Sequence, residues 1–440
     1  MEKKELKLNY RRTIDISFAF FSILMLWQVY NTYCPLFLKD LLGDNKEYLI
    51  GTIMALDNVV ALFLLPLFGN LSDKTHTRFG KRMPYIVIGM ILAAIVFPSI
   101  AYAYVKRSLV GVIVCMCLIL CIMHMYRTPA VSLMPDLTPK PLRSKANGII
   151  NLVGYFGPII AGLIAMFIKN YDTNNTEAFL PFIIASICLV ISVIILIIRI
   201  RENKLLEEVK EELELGERLS QTQEKIEEDK PMSKADKKNL VVLLLATFLW
   251  YMAFNALESF LSLYCQEVLG NSSYSGTVTI ILTISSVITF IPAGILANKL
   301  GRKKSVLIGL IFLLIGFLGS AIVTTKLDGS TRFILFYIFV VFAGIGWASI
   351  NVSSYPMVCE CASQKNIGKI SSMYYFASML AQSVTPILVG FIMSKNGYHP
   401  LFYYSSALTV IAFIVFMLYK ENKKQVEIIK KGLFEHFDQD

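Results

Sequence analysis

Charged residues are scarce in this chain. Asp, Glu, Lys and Arg make up 17% of its 440 residues, where a soluble domain carries about a quarter. With 55% hydrophobic residues as well, the chain does not show the alternation of apolar and polar positions that amphipathic elements of a soluble multidomain protein require. Motifs for hydrolytic or nucleotide-driven chemistry are also missing. There is no nucleophile elbow, no HExxH pair and no phosphate-binding loop; Gly301-Arg302-Lys303-Lys304 lacks the spacing of a Walker motif. An enzyme or a self-contained ATPase is therefore not expected. The eight cysteines include Cys115, Cys117 and Cys121 in one apolar run and Cys359 and Cys361 near the end of another. They read as ordinary buried small residues, so neither a metal site nor any other cofactor is expected. No pore-loop segment interrupts the apolar runs, which argues against a channel.

What the chain has in quantity is long apolar runs. They read as Ile14–Leu38, Tyr48–Leu71, Pro84–Val105, Leu109–Ala130, Ala146–Ile168 and Phe179–Ile200, then Leu240–Cys265, Ser275–Ala297, Ser305–Thr324, Phe333–Tyr355, Ile370–Met393 and Leu401–Tyr419. Each is long enough to cross a hydrocarbon layer of about 30 Å. Backbone groups in lipid must be satisfied within the segment, so each run is predicted to be a helix. The expected fold is an all-α membrane protein of twelve spans in two sets of six. Residues 1–200 form the first half and 240–420 the second; residues 201–239 are a polar central loop and 421–440 a tail. The formal charge of +10 falls between apolar runs, not on one soluble face, which speaks against a nucleic-acid partner.

Basic residues also set the expected orientation. Lys3, Lys4, Lys7, Arg11 and Arg12 precede the first run; Lys74, Arg78, Lys81 and Arg82 follow the second; Lys140, Arg143 and Lys145 follow the fourth. Lys299, Arg302, Lys303 and Lys304 follow the eighth, and Lys365 and Lys369 the tenth. Both termini, the central loop and the tail are thus expected on the cytoplasmic side. The start MEKKELKLNYRR enters a span with no small-residue cleavage site, so no removable signal peptide is expected. In the central loop Leu205, Leu206, Val209, Leu213 and Leu219 can form one stripe of an amphipathic helix, broken near Gly216. That helix is read as a solvated tether on the membrane surface.

An internal repeat links the halves. After the second run the chain reads GNLSDKTHTRFGKR, Gly69 to Arg82, and after the eighth GILANKLGRKK, Gly294 to Lys304. Paired copies at equivalent places mark transporters built from related halves. The repeat resembles the signature cytoplasmic loop of the major facilitator superfamily. The long form SDKTHTRFGKRMPY is similar to the loops of the glycoside–pentoside–hexuronide:cation symporters and of the proton-coupled sucrose-type carriers. Pro129, Asp136, Leu137, Pro139, Arg143, Ser144, Ala146 and Asn147, with Asn351 and Tyr355 to Val358, resemble the sucrose-type pattern. The acidic pair of the sodium-coupled symporters is replaced here by Ala61 and Leu65, so a sodium site of that kind is not expected. The resemblance implies a cytoplasmic gate built from Gly69, Asp73, Arg82, Asp136, Arg143 and Arg302. Asp73 is the expected latch anion, with Arg82 or a base of a neighbouring helix as its partner. Asn298 stands where the second copy could carry an acid, so a weaker second latch is expected.

Ionisable groups inside a membrane are costly and mark function by default. Asp57 lies about ten residues into the second run, ~15 Å deep at 1.5 Å per residue, with Asn58 beside it in TIMALDNVVALFLLP. It is the first candidate for a proton-coupling acid. Its other reading is a structural acid paired with Arg127, the cation late in the fourth run. Glu258, in WYMAFNALESF, is the second candidate, with Asn255 nearly one turn before it. Trp27, Gln28, Tyr30 and Asn31, with Asn58, are candidate substrate contacts in the first two runs, as are Trp250, Tyr251 and Asn255 in the seventh. Trp347, Asn351, Tyr355, Tyr374, Tyr375 and Gln382 extend the set. Aromatic faces and amides together suit a sugar, and the resemblance implies that the first, fourth, seventh and tenth spans line the cavity. Together these readings predict a monomeric secondary transporter, moving a sugar or glycoside with a proton by alternating access in a bacterial inner membrane. The alternatives are a carrier of another organic or amphipathic solute, by uniport or antiport, and a transport-dead receptor.

Overall fold

In the computed structural model the described residues are 6–168, 176–224, 232, 234–361 and 366–420. Among them every regular element is helical. Twelve helical stretches are long and apolar enough to cross a membrane, as the sequence predicts. The first six are α1 (Tyr10–Leu42), α2 (Glu47–Lys74), the pair α3 (Met83–Val96) and α4 (Pro98–Val105), α5 (Leu109–Asp136), the pair α6 (Arg143–Gly154) and α7 (Phe156–Phe167), and α8 (Leu180–Arg199). After α9 (Glu202–Glu224) come α10 (Lys234–Leu269), α11 (Tyr274–Leu300), α12 (Arg302–Lys326), α13 (Gly329–Glu360), α14 (Ile367–Asn396) and α15 (Pro400–Met417).

Most helices overrun the apolar runs. The expected Ile14–Leu38 becomes Tyr10–Leu42, because a helix satisfies its own backbone in water as well as in lipid and continues until a cap stops it. Asn9 supplies that cap at the start, its side chain accepting from the Arg12 N–H at 3.0 Å. The third run is interrupted at Phe97, where Pro98 opens α4 without an N–H to give.

The chain forms two compact units. The first takes Met1–Asp44, Leu56–Glu228 and Ser273–Thr277; the second takes Asn45–Ala55, Asp229–Ser272 and Val278–Asp440. In the first, an aromatic core holds the helices: Phe37 stacks on Tyr104 with ring centres 3.9 Å apart, and Phe182 lies 5.7 Å from Phe37 and 4.8 Å from Phe97. In the second, α12 and α13 touch through small residues, Gly316 against Ala343, which is how helices associate where lipid removes the hydrophobic drive. The opening turns of α2 are held in this second unit, where Tyr398 Oη donates to Glu47 Oε1 at 2.8 Å.

Two expectations for the central loop need correction. The helix α9 runs unbroken through Gly216, which lies against Pro139 and leaves no room for a side chain there: a Cβ would stand 2.8 Å from the proline Cβ. It is also no free tether, since Glu202 and Val209 are buried. The side chain of Leu219 falls outside the described residues, as do Lys3, Lys4 and Lys365.

Candidate functional site

Three helices of the first unit bring ionisable groups together. Asp57 on α2 is buried, and both of its oxygens are held: Trp27 Nε1 from α1 donates to Oδ2 at 2.8 Å, and His124 Nε2 from α5 lies 3.0 Å from Oδ1. Arg127, three residues beyond His124, places its guanidinium carbon 4.7 Å from the centre of the Trp27 ring. The expected pairing of Asp57 with Arg127 is thus indirect. Arg127 acts on the carboxylate by charge, across the face of the tryptophan whose N–H the carboxylate accepts. His124, which the sequence reading passed over, takes the direct contact, so Asp57 is not the isolated carboxylate its neighbours in sequence suggest. His124 is fully buried, and its Nδ1 meets no hydrogen-bond partner among the described residues. Tyr30 is also fully buried beside this group and is an electrostatic neighbour of Asp57. Asn31 and Asn58 are half-buried, and Gln28 Nε2 donates to Thr32 Oγ1 at 3.3 Å on its own helix.

The charge balance of this cluster decides what it can do. With His124 neutral, Asp57 and Arg127 cancel. Adding one proton, to His124 or to Asp57, leaves the cluster with a net positive charge in a medium that resists it. Such a group changes its interactions sharply when it gains or loses a proton.

In the second unit, Tyr251, Asn255 and Glu258 fall on one face of α10, four and three residues apart. From Met252 to Cys265 every residue except Glu258 is buried. Asn255 Nδ2 donates to Glu258 Oε2 at 3.4 Å, and Ser259 Oγ to Asn255 Oδ1 at the same distance. An aromatic band continues from there. Phe254 stacks on Trp347 at 3.8 Å, Tyr251 meets Trp347 edge-on at 5.2 Å, and Tyr374 lies 6.5 Å from Tyr251 and 5.5 Å from Tyr355. Tyr251 Oη donates to Asn351 Oδ1 at 3.4 Å, within the same group. Tyr375 extends the band, 5.7 Å from Tyr355. Gln382 Nε2 donates to Ser378 O at 3.2 Å along its own helix. Trp250, by contrast, is fully buried against Phe416 and belongs to the core.

The two repeat loops hold the third constellation. Arg82, 5% exposed, sends Nε to Asp136 Oδ2 at 2.9 Å and Nη1 to Ser72 Oγ at 2.6 Å, and its Nη2 pairs with Asp73. Lys81 Nζ adds a second cation on Asp136 at 3.1 Å. Gly69 packs against Thr128 of α5, where helices α2 and α5 approach. Arg143 turns back to the end of α5, donating to Thr138 O and Pro135 O at 3.2 and 2.8 Å, and pairs with no carboxylate among the described residues. In the second unit Asn298 is exposed, and Arg302 pairs with Glu360 at the end of α13. Glu360 thus stands where Asp136 does in the first copy: a carboxylate ending the span two after the loop.

The sequence pattern of the Major Facilitator Superfamily matches residues 16–321 and 271–435. The chain belongs to the Major Facilitator Superfamily. It is a multi-pass membrane transporter. It is 21% identical, over 95% of its length and 98% of the relative, to a multi-drug resistance efflux pump PmrA homolog of Lactococcus lactis. It is 22% identical to the isoprimeverose transporter of Lactiplantibacillus pentosus, over 68% of this chain and 62% of that one. Its fold superposes on the crystal structure of a D-xylose-proton symporter with a TM-score of 0.68, at 14% identity, covering 94% of this chain and 98% of the other.

Set against that facilitator frame, three residues that the sequence reading overlooked carry much of the geometry: His124, Glu360 and Glu202. The signal for His124 was present in MHMYR, an ionisable residue inside an apolar run and one turn from Arg127. Glu360 was legible as well, as the acid just beyond the tenth run. Glu202 was not, because nothing local in RENKLLEEVK marks which of its acids is buried.

Proposed function

We propose that this facilitator is a secondary transporter coupling proton movement to a sugar or glycoside, taken up by alternating access across a bacterial inner membrane, with both termini cytoplasmic and the monomer as the working form. The observation that carries the reading is the Asp57 group: a carboxylate inside the membrane, bonded to Trp27 and His124 and balanced by Arg127. Asp57 and His124 hold the proton, and Arg127 tunes them. On the second unit, Glu258 with Asn255, Asn351 and the rings of Tyr251, Tyr355 and Tyr374 offers carboxylate, amide and aromatic contacts of the kind a pyranose uses. Trp27, Gln28, Asn31, Asn58 and Gln382 complete the candidate contacts, whereas Tyr30 is fully buried like Trp250 and drops out of them. The named substrates of two similar proteins, isoprimeverose and D-xylose, support this class.

The full-length likeness to an efflux pump favours a second reading, a proton-coupled carrier of another organic solute. One experiment separates them. Glycosides, pentoses and amphipathic cations are added in turn to de-energised cells expressing the protein, and the pH of the lightly buffered medium is followed. Alkalinisation with a sugar and with no cation supports the first reading. Proton movement only with the cations selects the second, and none with any solute rejects proton coupling.

His124→Gln tests the division of labour within the group. Gln keeps a donor towards Asp57 but has no basic nitrogen, so the carboxylate stays held while one proton site is lost. Accumulation driven by a pH gradient is expected to fall roughly tenfold, about 1.4 kcal/mol of coupling. Substrate exchange at equal pH on both sides should change less than about twofold. Equal loss in the two assays would make His124 a structural residue only.

A further inference from the structure

Glu202 opens α9, in the most polar stretch of the chain, yet it is 0% exposed. Its carboxylate sits on the first turn of α3. Oε1 accepts from the backbone N–H of Lys81 at 3.1 Å and of Arg82 at 3.2 Å; Oε2 accepts from Arg82 at 2.9 Å and from Met83 at 2.9 Å. The first N–H groups of a helix have no partner within it and carry its positive dipole end. At α3 no local side chain caps them. The acceptor comes instead from 120 residues further along the chain.

The surroundings are built to receive it. Gly80 has φ +111°, and a Cβ there would lie 2.1 Å from Glu202 Oε2, so only glycine leaves the carboxylate its place. Asn203 Nδ2 donates to Thr77 O at 2.9 Å and to Arg78 O at 3.1 Å, closing the same loop from its other side. Further along α9, Val209 is buried, Gly216 abuts Pro139 beyond the end of α5, and Glu208 and Glu212 are acidic neighbours of Arg12 on α1. The segment is therefore pinned at its start and seated on one unit as far as Gly216.

Arg82 lies at the junction. Its side chain is held by Ser72, Asp73 and Asp136, and its backbone by Glu202. We propose that Glu202 is a positioning residue for Arg82 and the pin by which α9 straps the Asp73–Arg82–Asp136 cluster, so that the central segment is a working part of this gate. The proposal goes beyond the proton–sugar reading and does not depend on which solute is carried. Releasing Glu202 frees the first turn of α3 and α9 together, and loosens the end of α2 through Arg82.

The test needs no substrate. Full-length protein in nanodiscs is followed by hydrogen–deuterium exchange and by limited trypsin digestion, as wild type and with Glu202→Gln, Gly80→Ala or both. Gln keeps the shape of the side chain but leaves one oxygen to serve three N–H groups. Gly80→Ala displaces the carboxylate from the opposite side without altering it. Either variant is expected to speed exchange at residues 81–83 by about tenfold or more. Each should also speed exchange at 72–75 and cleavage after Lys204 and Lys210 by about fivefold, and the double variant should go no further than either single one. Wild type supplies a reading that no folding defect can blur. Its amides at 81–83 should exchange more slowly than those at 302–304, where the opening of α12 has no side-chain cap. Unchanged rates at 81–83, an effect confined to them, or equal wild-type protection at the two helix starts would each overturn the proposal.

Discussion

Asp57→Asn is expected to abolish solute-dependent proton uptake and to cut gradient-driven accumulation by about two orders of magnitude, while exchange of solute across the membrane survives. Asn matches Asp in shape and can still accept from Trp27 or from His124, so the helix contacts of α1, α2 and α5 are largely kept. What it cannot do is carry the negative charge. Arg127 then stands above Trp27 with no anion to balance it, inside a medium where an uncompensated charge costs about 3–5 kcal/mol. A proton on His124 would then be a second positive charge near Arg127, with the carboxylate that offsets it gone. Taking the lower bound of that range gives a loss of about a hundredfold at 1.4 kcal/mol per tenfold. The measurement is paired: alkalinisation of the medium on solute addition, and equilibrium exchange of labelled solute in proteoliposomes. If exchange falls as far as accumulation, Asp57 is a packing residue and the coupling assignment fails.

The contrast with His124→Gln is quantitative. That variant removes one of the two proposed proton-bearing groups and leaves the charges of Asp57 and Arg127 balanced, so its effect is the smaller. Reversal of this order would mean that the imidazole is the primary site and Asp57 only its anchor.

How much of this was legible in the chain differs by level. Helix number and span were, because a hydrocarbon layer imposes length and apolarity on each segment separately, and no long-range information is needed to read Ile14–Leu38 or Leu109–Ala130. The ends were not, since the polar turns beyond the apolar runs are set by caps such as Asn9 and by breaks such as Phe97-Pro98. Asp57 and Glu258 stood out because ionisable residues inside apolar runs are few. Their partners did not: which residue of α5 meets Asp57 depends on helix rotation. His124 and Arg127 are one turn apart, and the sequence reading chose the charge over the ring. Among the aromatics, Trp250 and Tyr251 are adjacent in sequence, yet one is core and the other joins the Glu258 face. The buried carboxylate of Glu202 lay furthest from sequence, because its ligands are backbone N–H groups, which any residue type but proline could contribute.

Arg82→Ala is the second large effect, and it falls on stability. Arg82 is nearly closed off from solvent, and Asp136, to which its Nε donates, is 22% exposed at the side chain. Removing the guanidinium leaves that carboxylate with Lys81 alone and strips Ser72 of its donor. A buried charge deprived of its partner costs about 3–5 kcal/mol; with Asp136 partly wetted and Lys81 remaining, about 2–3 kcal/mol is expected. At 2–4 °C per kcal/mol for a unit of this size, the apparent melting temperature should drop by about 4–12 °C. Arg82→Lys should recover less than half of that loss, because a single ammonium cannot reach Ser72, Asp73 and Asp136 as the planar fork does. The Asp73 arm behaves differently: its side chain is 58% exposed, so Asp73→Asn should shift stability by under about 1 kcal/mol. In the second copy Arg302 and Glu360 are 26% and 23% exposed, a wetter pair, and Arg302→Ala should cost clearly less than Arg82→Ala. Thermal unfolding of the purified variants in one detergent ranks the four. Equal losses for Arg82→Ala and Arg302→Ala would mean that the burial of Arg82 beneath Ser72, Asp73 and Asp136 adds nothing. The asymmetry between the two repeat loops would then lie only in their sequence.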